Sequence, residues 1–126
     1  MKKVSIKHIT FAHQSILRGL EFYELELRFL TEHLEEIAAD NTGREAAEKV
    51  ETFQNQFTIH KDQISLLKHR VNENFARLQH SLDPSGNYVD ENVVQDGEKI
   101  GEDYATEEQL FKDMRQEFNR FAAVWL

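Results

Sequence analysis

Hydrophobic residues recur along this chain at alternating intervals of four and three residues, in two long segments separated by a short break. This spacing keeps one face of a helix against a partner helix along its whole length, as in coiled coils. The pattern therefore predicts two long amphipathic helices. The first seam consists of Ile9, His13, Ile16, Leu20, Tyr23, Leu27, Leu30, Leu34 and Ile37. The second consists of Ala46, Val50, Phe53, Phe57, His60, Ile64, Leu67, Val71, Asn74 and Leu78.

Residues that favour helix ends mark the limits of these two segments. Asn41 is suited to a helix exit, and the stretch from Thr42 to Glu45 has the form of a capping box. Asp83 precedes Pro84, a pair that disfavours helical geometry. Because so few residues join the helices, they must lie antiparallel as a hairpin about 50 Å long. The predicted helices span residues about 5–40 and about 43–81.

The segment 82–103 is predicted to be an acidic loop, since it contains seven acidic residues, one basic residue and several turn-forming residues. An EF-hand template starting at Asn92 fails at its third position, where Val94 stands. The loop is expected to be mobile, so replacing Pro84 to Gly101 with a short Gly/Ser linker should leave the fold intact. A third amphipathic helix is predicted over about 104–125.

The three segments together predict a single all-α domain over residues 1–126, a helical hairpin closed by a C-terminal helix as a three-helix bundle. Helix one carries a second apolar stripe beside its seam, and one partner helix cannot cover both. The predicted third helix would span only about 33 Å of the rod, so a homodimer is the expected way to cover the rest. The interface candidates are Phe11, Phe22, Leu25, Phe29, Phe111, Phe118, Phe121 and Trp125.

Two polar layers are predicted inside the hairpin. Aligning the seams across the turn places Tyr23 beside His60, and His13 near Asn74 at the open end. Such a pair can satisfy its own hydrogen bonds and exclude slipped registers, which is the structural interpretation. The alignment rests on three apolar pairs: Ile37 with Ala46, Leu30 with Phe53, and Leu27 with Phe57.

The alternative is a metal-binding or small-ligand-binding bundle, acting as a sensor or an enzyme, with a pocket around Tyr23 and His60. His13 and His60 would supply imidazole ligands, and Glu24 or Glu21 a carboxylate. No histidine has glutamate three residues before it, so the Glu-x-x-His motif of ferritin-like metal sites is missing. Nucleotide-binding loops and the motifs of serine hydrolases and zinc proteases are missing as well. We therefore expect no cofactor and no catalytic activity.

The net charge narrows the class of partner. At −8, the chain repels phosphate backbones and anionic lipid surfaces, so neither nucleic acid nor membrane is expected as a partner. The lack of cysteine excludes thiol catalysis and fits a reducing compartment, and no segment has the length and apolarity of a membrane span. We therefore predict a cytoplasmic helical interaction or structural protein that self-associates and binds a protein partner.

Overall fold

The structure, a computed structural model, describes residues 4–80, 88–89 and 91–125. It confirms the all-α class and the three-helix bundle, with the core between the three helices. It also contains two short strands, each only two residues long. The elements in chain order are β1 (Val4–Ser5), α1 (Ile6–Asp40), α2 (Arg44–His80), β2 (Tyr88–Val89) and α3 (Glu91–Trp125).

The third helix begins at Glu91, so the prediction of a loop through residue 103 is wrong for 91–103. Residues 82–87 and 90 lie outside the described part of the chain. Val93, Val94 and Ile100 are buried, and a linker replacing them would remove part of the core. The predicted tolerance of a linker up to Gly101 is therefore wrong as well. The helical seam of α3 runs without a break through Val93, Gly97, Ile100, Tyr104, Glu107, Phe111, Met114, Phe118, Phe121 and Trp125.

Because α3 has 35 residues, it is about 50 Å long and matches the other two helices, where the sequence predicts about 33 Å. It runs parallel to α1. At the closed end of the hairpin, the Asn41 side chain donates hydrogen bonds of 2.9 Å to the backbone carbonyls of both Ile37 and Trp125. This one amide caps α1 and holds the end of α3 against it.

The core falls into two apolar clusters. The larger one fills most of the bundle and includes the fully buried Leu20, Phe111 and Phe118. The smaller one closes the open end and consists of Ile9, Leu78, Val93 and Val94. A pair of buried polar residues, His13 and Asn74, occupies the intervening positions along α1 and α2.

The short strands β1 and β2 pair antiparallel, with Val4 opposite Val89 and Ser5 opposite Tyr88. The sequence predicts no sheet, and the structure differs from that prediction in these four paired residues. This pairing ties the segment before α1 to the segment before α3 at the open end of the hairpin. This contact fits the parallel arrangement of α1 and α3.

Candidate functional site

Tyr23 and His60 are both buried, as predicted, but they do not bond to each other. The Tyr23 hydroxyl donates a 2.9 Å hydrogen bond to Glu108, and His60 Nδ1 donates a 2.5 Å hydrogen bond to Glu107. Both glutamates belong to α3. Phe111, which is also on α3, contacts the rings of both Tyr23 and His60, with centroid distances of 4.8 Å and 5.4 Å, respectively. The predicted Tyr23–His60 pair is therefore wrong, and α3 supplies the polar partners instead.

The third helix explains this difference, because Glu108 and Glu107 lie within hydrogen-bond reach of Tyr23 and His60. The predicted alignment of the hairpin is not what fails, since it places His13 near Asn74 and these two residues are hydrogen-bonded.

Glu108 accepts hydrogen bonds from two tyrosines, Tyr23 and Tyr104, on the same carboxylate oxygen. Desolvation and the nearby charge of Glu108 raise the pKa of Tyr104 to about 12. The same two causes raise the pKa of Tyr23 above its ordinary value. Tyr104 reaches this position because Gly19 has no side chain, and a Cβ there would lie 1.9 Å from the tyrosine oxygen. The cluster keeps both phenols protonated and fixes α3 on α1.

His13 and Asn74 form the second polar layer, which was predicted from the sequence. His13 Nε2 donates to Asn74 Oδ1 at 2.7 Å, and Asn74 Nδ2 donates to the backbone carbonyl of Val93 at 3.2 Å. Gly97 makes room for this layer, since a Cβ there would lie 3.2 Å from Asn74 Oδ1. His13 Nδ1 is buried and has no hydrogen-bond partner among the described residues. The layer links all three helices and so fixes their register.

The candidate metal ligands do not converge. His13 is bonded to Asn74, His60 to Glu107, and Glu24 accepts a 2.9 Å hydrogen bond from Lys68. In residues 4–80, 88–89 and 91–125, no group of three or more histidine and acidic residues could hold a metal ion. The EF-hand template from Asn92 lies within α3, so it does not form a binding loop.

A groove of about 580 Å³ runs between α2 and α3 beside the His60–Glu107 pair. Tyr23 does not line it, so the groove is not a pocket shared by Tyr23 and His60. Its walls include the exposed side chains of Ile59 and Leu110 and the buried side chain of Met114. It is an open surface groove.

Among the described residues, α1 carries more exposed large hydrophobic side chains than α2 or α3. Phe11, Phe22, Leu25 and Phe29 are 66%, 53%, 42% and 59% exposed, respectively, although all four are large hydrophobic residues. They point away from the core because α2 and α3 cover the other faces of α1. The remaining interface candidates belong to α3 and pack inward: Phe111, Phe118 and Phe121 are buried, and Trp125 is partly buried.

The exposed stripe belongs to a regular heptad row, which we call the outer seam. It also contains polar members, with Arg18 in its first half and Glu32 and Glu36 at its end. The row repeats at intervals of four and three residues over about 38 Å of helix. The outer seam is Phe11, Ser15, Arg18, Phe22, Leu25, Phe29, Glu32 and Glu36, and all eight residues are exposed.

Sequence reasoning missed Glu107 and Glu108, the two residues that organise the buried polar contacts of α3. Glu107 stands four residues before Phe111, at a seam position of the third helix. Continuing the row of phenylalanines backwards would have placed it in the core. An acidic residue at a core position then predicts a buried partner such as His60.

Comparison with protein-family models, curated proteins and solved structures gives no match for this chain. Among the described residues, no helix is long and apolar enough to cross a membrane. The functional proposal therefore depends on the geometry of the bundle and its surfaces.

Proposed function

We propose that this is a non-enzymatic helical interaction protein that forms a homodimer through the outer seam of α1. The observation that carries the proposal is the exposure of four large apolar side chains in heptad spacing, on the face of α1 opposite the core. Contiguous apolar stripes of this kind mark sites of protein association. Heptad spacing specifies the partner surface further, because it fits another helix lying along α1.

The hydrophobic effect favours covering this stripe. Burying a side chain such as phenylalanine or leucine is worth about 1.5 to 3 kcal/mol relative to full exposure, and these four retain roughly half of their surface in water. A two-fold dimer would cover the stripe in both copies at once, since the same patch serves both partners.

The buried polar groups support a structural role for the interior. Tyr23, His60 and His13 each form a side-chain hydrogen bond to a neighbouring helix. Their partners are Glu108, Glu107 and Asn74, respectively. Groups engaged in this way stabilise the arrangement of helices. The proposal includes the cytoplasmic location predicted from the sequence. A partner protein would bind through the open groove between α2 and α3, because the dimer covers the outer seam.

Removing the apolar stripe should abolish dimerisation. The variant Phe22→Ser with Phe29→Ser loses four buried phenyl rings per dimer, so we expect its dimer dissociation constant to rise at least about a hundredfold. Sedimentation velocity across micromolar concentrations would measure this, with circular dichroism to verify that the helices remain folded.

A matched control is available on α2. Ile59 and Leu66 are 59% and 49% exposed, close to the values in the outer seam, but they lie on another helix. Ile59→Ser with Leu66→Ser should change the dissociation constant by less than about threefold, because surface substitutions away from an interface have small effects. Equal weakening by both double variants would contradict a dimer through α1.

A further inference from the structure

We propose that the two copies in this dimer pair their α1 helices antiparallel, with Phe22 of one copy facing Leu25 of the other. The inference rests on the proposed self-association through the outer seam, and it adds the orientation and register of the partner. Three independent features of α1 support it: the distribution of charge along the helix, the polar residues within the outer seam, and the row of residues beside it.

Charge is distributed asymmetrically along α1. From Val4 to Leu20 the chain has two basic residues, Lys7 and Arg18, and no acidic residue. Further along, five of the six exposed charged side chains are acidic and the sixth is Arg28, and the acidic ones form no ion pairs among the described residues. An antiparallel partner places the basic half of one helix beside the acidic half of the other, which is favourable in both halves of the interface. The exposed acidic side chains in the second half are Glu21, Glu32, Glu35, Glu36 and Asp40.

A parallel arrangement would place every outer-seam residue opposite its own copy. Arg18 would then face Arg18, Glu32 would face Glu32, and Glu36 would face Glu36. Each of these layers brings like charges together at the centre of the interface, where water is partly excluded, and is therefore destabilising. The antiparallel arrangement contains none of these like-charge layers.

Within the antiparallel arrangement, one register pairs all members of the outer seam. Phe22 packs against Leu25 of the second copy, and Arg18 lies over the ring of Phe29 of the second copy. Arginine over an aromatic face is an attractive contact, so this polar seam member has a favourable position at the interface. By symmetry, each contact occurs twice.

The row beside the outer seam selects the same register. This flanking row contains Gln14, Glu21, Arg28 and Glu35, all exposed on the side of α1 nearest α2. With Phe22 opposite Leu25, Glu21 lies beside Arg28 of the second copy, and Gln14 beside Glu35. A shift of one heptad in one direction would pair Glu21 with itself. A shift in the other direction would pair Glu21 with Glu35 and Arg28 with itself, so both shifted registers bring like charges together.

Charge reversal tests this register. Glu21→Arg and Arg28→Glu should each weaken the dimer about tenfold, because each replaces two attractive contacts with two repulsive ones. Combining the two substitutions should restore the dissociation constant to within about threefold of the original. Asp62→Arg, an equal charge change at an exposed position on α2, is the matched control and should have no comparable effect. A double variant weaker than either single one would overturn the register.

Spin-label distances test the orientation directly, and the lack of native cysteine allows labels at single introduced cysteines. In the antiparallel dimer, two labels at Gln14→Cys should be about 32 Å apart along the helix axis, and two labels at Glu35→Cys should have the same separation. Mixing the two labelled proteins should add a population with almost no axial separation. A parallel dimer reverses this result, with short distances in each single variant and about 30 Å in the mixture.

The two proposals fail in different ways. If sedimentation shows only monomer and no dipolar coupling is seen, the proposed self-association is wrong. If the protein is dimeric but labels at Gln14→Cys lie close together, the dimer stands and the antiparallel orientation is overturned. Long distances in both single variants, without a short distance in the mixture, would place the interface on another face.

Discussion

Replacing Phe111 with alanine should lower the free energy of unfolding by about 3 to 5 kcal/mol, the usual cost of deleting a fully buried phenylalanine side chain. Phe111 is 0% exposed and contacts the rings of both Tyr23 and His60. Its loss leaves a cavity where the three helices meet, and the two polar side chains beside it lose their packing. Urea denaturation followed by circular dichroism measures the change.

The adjacent residue provides the control for this prediction. Leu110 is 53% exposed on the rim of the groove between α2 and α3. Leu110→Ala removes an apolar side chain from the same turn of α3 without opening a core cavity, so it should cost less than about 1 kcal/mol. Similar losses in the two variants would mean that Phe111 does not occupy the centre of the bundle.

Removing the His60 side chain should lower the free energy of unfolding nearly as much, because it leaves a buried carboxylate without its hydrogen-bond partner. His60→Leu leaves Glu107 buried without its imidazole partner, and breaking a buried ion pair or charged hydrogen bond in this way costs about 3 to 5 kcal/mol. The double variant His60→Leu with Glu107→Leu leaves neither of these buried polar groups without a partner, so it should recover most of the lost stability.

An exposed pair of the same chemistry serves as the reference. His69 and Glu73 form a 2.9 Å contact on the surface of α2, with both side chains largely in water. His69→Leu should cost less than about 1 kcal/mol, since exposed pairs contribute little. If the His60→Leu with Glu107→Leu protein were no more stable than His60→Leu alone, the pair would not be stabilising the bundle through its buried hydrogen bond.

The first two helices were predictable to within about one residue, because their seams are mostly apolar and residues that favour helix ends follow each seam in the sequence. The start of α3 was not. Gly97 occupies a seam position there, so the hydrophobic pattern weakens and the acidic composition suggests a loop. Gly97 is in the seam because His13 and Asn74 take up the space that its side chain would fill.

The polar interior was predictable only in part. The seams place His13 near Asn74, and in the structure these two residues are hydrogen-bonded. The partners of Tyr23 and His60 do not follow, because Glu108 and Glu107 precede the apolar row from which the third helix was predicted. The apolar stripe on α1 was predictable from spacing alone. The sequence also predicts that the third helix covers part of this stripe, which is wrong, because all four of its large apolar residues are exposed.

The measurement that most directly tests the central claim is sedimentation equilibrium of the unaltered protein across micromolar concentrations. The proposal predicts a mass that rises with concentration from the 14.8 kDa of one chain towards about twice that value, because the outer seams of two copies cover each other. A mass that stays at that of a single chain throughout this range would contradict self-association through α1.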